Sequence, residues 1–94
     1  MGANEDFLIQ YCQDSSLNEI IDLIETEGNN LDINTNRAEP LRISVPKLDY
    51  DIVIVLLQNG ANPNVASADD QHDSAFDIAD NLNDASMNEL MGPF

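Results

Sequence analysis

An all-α solenoid of stacked helix–turn–helix repeats is the fold class predicted by this 94-residue sequence, on three observations. Residues 19–28 and 51–60 both read as an amphipathic helix ending in glycine, and Gly28 and Gly60 lie 32 residues apart. Glu39-Pro40-Leu41-Arg42-Ile43-Ser44 and Ser74-Ala75-Phe76-Asp77-Ile78-Ala79 each restart a helix, 35 residues apart. The apolar residues between these marks keep helical spacing, as Leu17, Ile20, Ile21 and Ile24 do. Self-similarity near ~33 residues is the mark of units that bury their apolar faces against one another.

The middle unit resembles the ankyrin repeat. Glu39-Pro40-Leu41 stands where that family has Thr-Pro-Leu, and Ile52, Val53, Val55, Leu56 and Leu57 fill the apolar positions of its second helix. Gly60-Ala61-Asn62-Pro63-Asn64 is similar to the family's Gly-Ala-Asp/Asn-x-Asn ending. Laid on this register, the first unit puts Phe7 at the Thr position, followed by Ile9, Tyr11 and Cys12, then Ile20, Ile21, Leu23 and Ile24. It departs at 28–34, where two extra residues stand. The third unit matches over 74–79 and keeps only Met87, Leu90 and Met91 in its second helix. The resemblance covers nearly the whole chain as one domain, with units of about 4–36, 37–70 and 71–94. It implies an ankyrin-like array with short hairpin-like connections.

In the first unit a helix over about residues 5–13 should meet the turn Asp14-Ser15-Ser16. Ser16-Leu17-Asn18-Glu19 has capping-box form, in which the hydroxyl accepts from a first-turn N–H and the glutamate reaches back. The next helix runs to about Glu27, with Glu19, Asp22 and Glu25 outward and Gly28 as a left-handed stop. In the second unit Pro40 suits a first helical turn, where its missing N–H forfeits nothing. Pro46 is expected to end that helix early by pushing Val45 from helical geometry. Asp49 is the expected cap of a helix over 50–58. The β-branched run Ile52-Val53-Ile54-Val55 makes a buried strand the rival reading, and the repeat decides for helix. In the third unit 74–77 and 86–89 both have capping-box form, and Gly92-Pro93 closes the last helix. That short helix with its two methionines should be the least stable part, and the Asn and Asp residues of 81–88 supply the polar face of a terminal repeat.

A chain of this length supports one marginal core, and 43 % apolar residues argue for a folded one. The net charge is −15, with 18 carboxylates against three cations, Arg37, Arg42 and Lys47. Such a field opposes nucleic-acid binding, which depends on cations displacing counterions from phosphate. It repels anionic membranes and draws in basic partners. It also keeps an open-ended array soluble, and both readings stand at this stage. Cys12 has no second cysteine to pair with, so a buried thiol in a reducing compartment is expected. No apolar run approaches the ~20 residues of a membrane span. The acidic start lacks a signal peptide's basic segment, and Asp6 stands where myristoylation needs Ser or Thr. A cytoplasmic protein is expected.

Asp32-x-Asn34-x-Asn36 begins like a calcium loop, but Arg37 and Ile43 occupy the positions where such a loop needs Gly and Glu. His72 lies among Asp69, Asp70 and Asp73, whose charges would raise its pKa, with no nucleophile placed beside it. Pairs of carboxylates suited to glycoside chemistry arise by chance on so acidic a surface. Asp73, Asp77, Asp80 and Asp84, spaced four, three and four apart, are expected on one helix face opposite Phe76, Ala79 and Leu82. Like charges so spaced disfavour a helix, although Asp73 also gains from the helix N-terminus. The stripe is either a binding surface or a solvated face.

The resemblance implies a binding surface built from the connections and first helices. It selects Asp32, Asn36 and Arg37 in the first connection, and Asp69, Asp70, Gln71, His72 and Asp73 in the second. On the inner helices it selects Asp14, Lys47, Asp77, Asp80 and Asn81. The expectation is a non-enzymatic protein-binding module for a partner with a basic surface, needing no cofactor or metal. Its most concrete form is an acidic inhibitor or immunity-type protein that occludes the nucleic-acid site of a nuclease toxin. The alternative is an ankyrin scaffold or adaptor with no inhibitory role.

Overall fold

The computed structural model describes residues 3–65 and 74–92, the side chain of residue 29 apart, and these residues form six α-helices and no strand. The helices are α1 (Ala3–Gln13), α2 (Leu17–Glu27), α3 (Thr35–Ser44), α4 (Tyr50–Gln58), α5 (Ala75–Leu82) and α6 (Ala85–Met91). Each odd helix packs on the even helix that follows it. The odd helices also pack in a row, α1 on α3 and α3 on α5, and the even ones in a second row, α2 on α4 and α4 on α6. One core runs between the rows. Leu8, Cys12, Leu41, Val45, Ala75 and Ala79 line it from the odd helices; Ile20, Ile52, Val53, Leu56, Leu57, Met87 and Met91 line it from the even ones. The strand reading of the β-branched run fails: burial of Ile52, Val53, Leu56 and Leu57 on one side of α4 outweighs its weak helix propensity.

Three tight turns join the pairs, each around one residue in left-handed geometry: Ser15 (φ 57°), Leu48 (φ 57°) and Asn83 (φ 56°). In the first, Ser16 N–H donates to the Tyr11 carbonyl at 2.9 Å and Ser15 N–H to Cys12 at 3.2 Å. In the second, Asp49 N–H donates to Ser44 at 3.3 Å and Leu48 N–H to Val45 at 3.0 Å. Both are Schellman closures, which satisfy last-turn carbonyls. Gly60 (φ 98°) closes α4 the same way, with Ala61 N–H on Leu56 at 3.0 Å and Gly60 N–H on Leu57 at 3.1 Å.

These turns correct several expectations. Ser15 and Leu48 are 33 residues apart, as are the buried pairs Leu8 and Leu41, Cys12 and Val45. The first unit is therefore displaced by one residue from the register that put Phe7 at the Thr position, and Phe7 is 50 % exposed. α3 ends at Ser44, ahead of Pro46 as expected, but Val45 keeps helical geometry (φ −61°, ψ −51°) rather than being pushed from it, and the chain turns at left-handed Leu48. Ser16 and Asp49 sit at N-cap positions without capping through their side chains. Asp49 Oδ2 instead accepts from the Ser15 hydroxyl at 2.8 Å. The box expected at Ser86 is absent because Asp84 caps α6, accepting from Met87 N–H at 2.9 Å. Gly28 has a positive φ (52°) but a ψ of −125°, so it opens a single 3-10 turn, Gly28–Asn30, rather than a left-handed stop. That turn takes up the two extra residues.

Within α3, Asn36, Arg37 and Ala38 have φ of 51°, 58° and 57°, one turn of left-handed helix. Right-handed geometry resumes at Glu39, which puts Pro40 in a first turn as expected. Left-handed geometry costs roughly 1–2 kcal/mol per L-residue. Arg42 offsets part of it, donating from Nε to the Arg37 carbonyl (2.9 Å) and from Nη2 to Asn36 (3.0 Å).

Candidate protein-binding surface

The helix ends divide the expected binding residues into two groups. Asp14 and Lys47 lie at the turns, together with Ser15, Asp49 and Asp84. Asp32, in the connection between pairs, and Asn36 and Arg37, in the left-handed first turn of α3, lie at the opposite ends of the helices. An 11-residue helix such as α1 separates such ends by roughly 16 Å at 1.5 Å per residue.

At the turn end, the equivalent carboxylates Asp49 and Asp84 link successive pairs. Ser15 donates to Asp49, and the Tyr50 hydroxyl donates to Asp84 Oδ2 at 2.8 Å. Each N-cap carboxylate of a later even helix is thus held by a side chain of the pair before it. Lys47 Nζ donates to the Gln13 carbonyl at 3.1 Å, where a cation complements the C-terminus of α1. Gln10 Nε2 donates to Asp14 Oδ2 at 3.0 Å. The Met87 N–H and the Tyr50 hydroxyl hold the Asp84 carboxyl below its usual pKa, and the same bond to Asp84 raises that of Tyr50.

At the connection end, side chains hold backbone. Glu5 Oε2 accepts from Asp32 N–H at 3.0 Å, which explains a buried carboxylate on α1. Asn34 bridges to the next connection, accepting from Asn62 N–H at 2.7 Å and donating to the Gly60 carbonyl at 3.0 Å. Asp32 and Asn62 form matching turns, accepting from the N–H two residues on at 3.0 and 2.9 Å. Asn36 Nδ2 donates to Glu39 Oε1. Within Asp32-x-Asn34-x-Asn36, one Asp32 oxygen and the Asn34 amide thus hold backbone, and the Asn36 amide holds Glu39.

On α5, Ser74 caps as expected, accepting from Asp77 N–H at 3.3 Å and donating to Asp77 Oδ2 at 3.1 Å. Asp77, Asp80 and Asn81 are exposed. Asp84 leaves the expected stripe: the left-handed turn at Asn83 puts it at the start of α6, bonded to Tyr50. Leu82, expected opposite the stripe, is 38 % exposed. Asp69, Asp70, Gln71, His72 and Asp73 lie outside the described residues. Cys12 is buried as expected, and desolvation pushes its thiol up to about 11.

Two hollows escaped the sequence reading. One, of about 290 Å³, lies between the first two turns and is lined by Ser15, Leu48, Asp49 and Tyr50 among others. The other, of about 260 Å³, lies on the first pair, between Tyr11 and the Glu19–Thr26 side of α2. Its signal was present in the chain: Phe7 and Tyr11 are one helical turn apart on the first helix.

Among the described residues no helix is long and apolar enough to cross a membrane. Comparison with protein-family models, with curated proteins and with solved structures finds no match for this chain.

Proposed function

We propose that this chain is a non-enzymatic protein-binding module, an ankyrin-like solenoid whose acidic surface captures a partner through a basic one. The observation that supports this most is the charge balance of −15 together with the exposure of its carboxylates. Arg42 and Lys47 donate to carbonyls of the chain's own backbone. Asp6, Asp14, Asp22, Asp51, Asp77 and Asp80 meanwhile stand exposed. With 18 carboxylates against three cations, little positive charge offsets the carboxylate field over the surface, which favours and steers encounter with a cationic protein. The stacked helical rows, with side-chain bonds running from one pair to the next, support the ankyrin-like reading. The polar clusters serve turns, caps and inter-pair links, which supports binding rather than catalysis.

In its most concrete form the module is an inhibitor of immunity type. Lysines and arginines that would hold phosphate in a nuclease toxin meet carboxylates instead, and the nucleic-acid site is covered. Co-purification from the native source should recover a basic protein. Asp77→Asn with Asp80→Asn removes two exposed charges with little change of shape, and should slow association with that protein most at low salt. Equal association rates for parent and variant, with neither responding to salt, would overturn this reading in favour of a scaffold or adaptor.

A further inference from the structure

We infer that the uncovered side of the first helical pair is a docking site for an arginine side chain of a basic protein partner. Among the described residues α1 packs chiefly on α2 and α3, and part of its remaining flank is exposed. On that helix Phe7 is 50 % exposed and stacks on Tyr11, with ring centroids 6.0 Å apart and planes 14° from parallel. Tyr11 is also one wall of the 260 Å³ hollow, whose other walls are Leu23, Thr26 and the carboxylate residues Glu19 and Asp22 of α2.

The lining selects its occupant by chemistry. A purely apolar side chain would strip water from Glu19 and Asp22 without replacing it, and an anion would be repelled. A guanidinium is planar, weakly hydrated and always charged, so it lies on an aromatic face and presents N–H groups to carboxylates at the same time. An ammonium satisfies the carboxylates but has no flat face to lay against Tyr11. Glu19 and Asp22 are three residues apart on a helix, so they stand on one side of it and converge on one cation. The site rests on the reading of a basic partner, but shares no residue with the Asp77 and Asp80 surface.

The test uses the full chain and two blocked tripeptides, Gly-Arg-Gly and Gly-Lys-Gly, titrated at physiological salt and followed by amide chemical shifts. The arginine peptide should shift amides around Tyr11, Glu19, Asp22 and Leu23, with the lysine peptide binding about threefold or more weakly. Glu19→Gln with Asp22→Asn should weaken the arginine peptide about tenfold, and Phe7→Ala about threefold. Retained spectral dispersion establishes that these variants remain folded. Asp77→Asn with Asp80→Asn should leave the affinity unchanged. Shifts spread over carboxylates along the whole chain, or equal affinity for the two peptides, would overturn the site. Focused binding here with a native partner indifferent to Asp77 and Asp80 would overturn the α5 surface and keep this one.

Discussion

The α3–α4 pair buries Leu41, Val45, Ile52, Val53, Leu56 and Leu57, whereas the α5–α6 pair buries Ala75, Ala79, Met87 and Met91. The helices differ in length as well, with 10 and 9 residues in the second pair against 8 and 7 in the third. A short helix has few internal hydrogen bonds to set against its orphan terminal N–H groups, so its ends weigh more. The N-caps follow that logic. Asp49 leaves the start of α4 uncapped by its side chain and bonds Ser15 instead, while Ser74 and Asp84 both cap their own helices. Where apolar burial is ample, polar side chains are free to link pairs. Where it is thin, they also secure the helix itself, as Asp84 does while its other oxygen holds Tyr50.

The largest expected effect strikes the well-packed pair. Leu56 is fully buried and its carbonyl receives the Ala61 N–H that closes α4. Leu56→Ala should cost about 2–5 kcal/mol, read from denaturant unfolding. A midpoint equal to the parent's would break the comparison at its strong side. At the weak side, native-state hydrogen exchange should find α6 amides opening at lower free energy than those of α4.

Asp84→Ala comes next, because that residue both caps α6 and receives the Tyr50 hydroxyl. It should speed exchange in α6 far more than in α4, while Tyr50→Phe removes only the link. The folded-state pKa of Asp84 is lowered, so its contribution is full above the ordinary 3.8 and is lost as pH falls through the lowered value. Acid should therefore loosen α6 first in the parent and have less further effect in Asp84→Ala.

A smaller and opposite change is expected at Leu48, which is left-handed and 40 % exposed. Leu48→Gly removes the Cβ strain and should stabilise by up to about 1 kcal/mol, less the entropy of a freer unfolded chain. Calorimetry of the variant checks the sign. A clear loss would mean that the exposed leucine packs more than its surface suggests.

Cys12→Ala should have the least effect of these on the fold beyond modest packing, yet Cys12 itself times the opening of the first two pairs. Its thiol is buried between α1 and α3, and burial holds its pKa near 11. Alkylation at pH 8 should be slow and track unfolding, well behind exchange in α6. Rapid modification of the native protein would place the weak point at α1 instead.

Much of this architecture was legible in the chain because helix periodicity and turn chemistry are local. The spans of α1, α2 and α4 follow from apolar spacing and flanking residues, and Pro40 and Ser74 occupy the helix starts that their chemistry prefers. Tertiary packing decided the rest. Ser16, Asp49 and Ser86 have the local form of caps, but only the approach of neighbouring pairs determined that Asp49 would hold Ser15 and Asp84 would hold Tyr50. The one-residue shift of the first unit is equally non-local. Leu8 and Phe7 are interchangeable by hydrophobicity, and burial against α3 chose Leu8. The same packing left Phe7 exposed and Tyr11 half-buried, since hydrophobicity alone carries no sign of which aromatic side chain a neighbouring helix will cover.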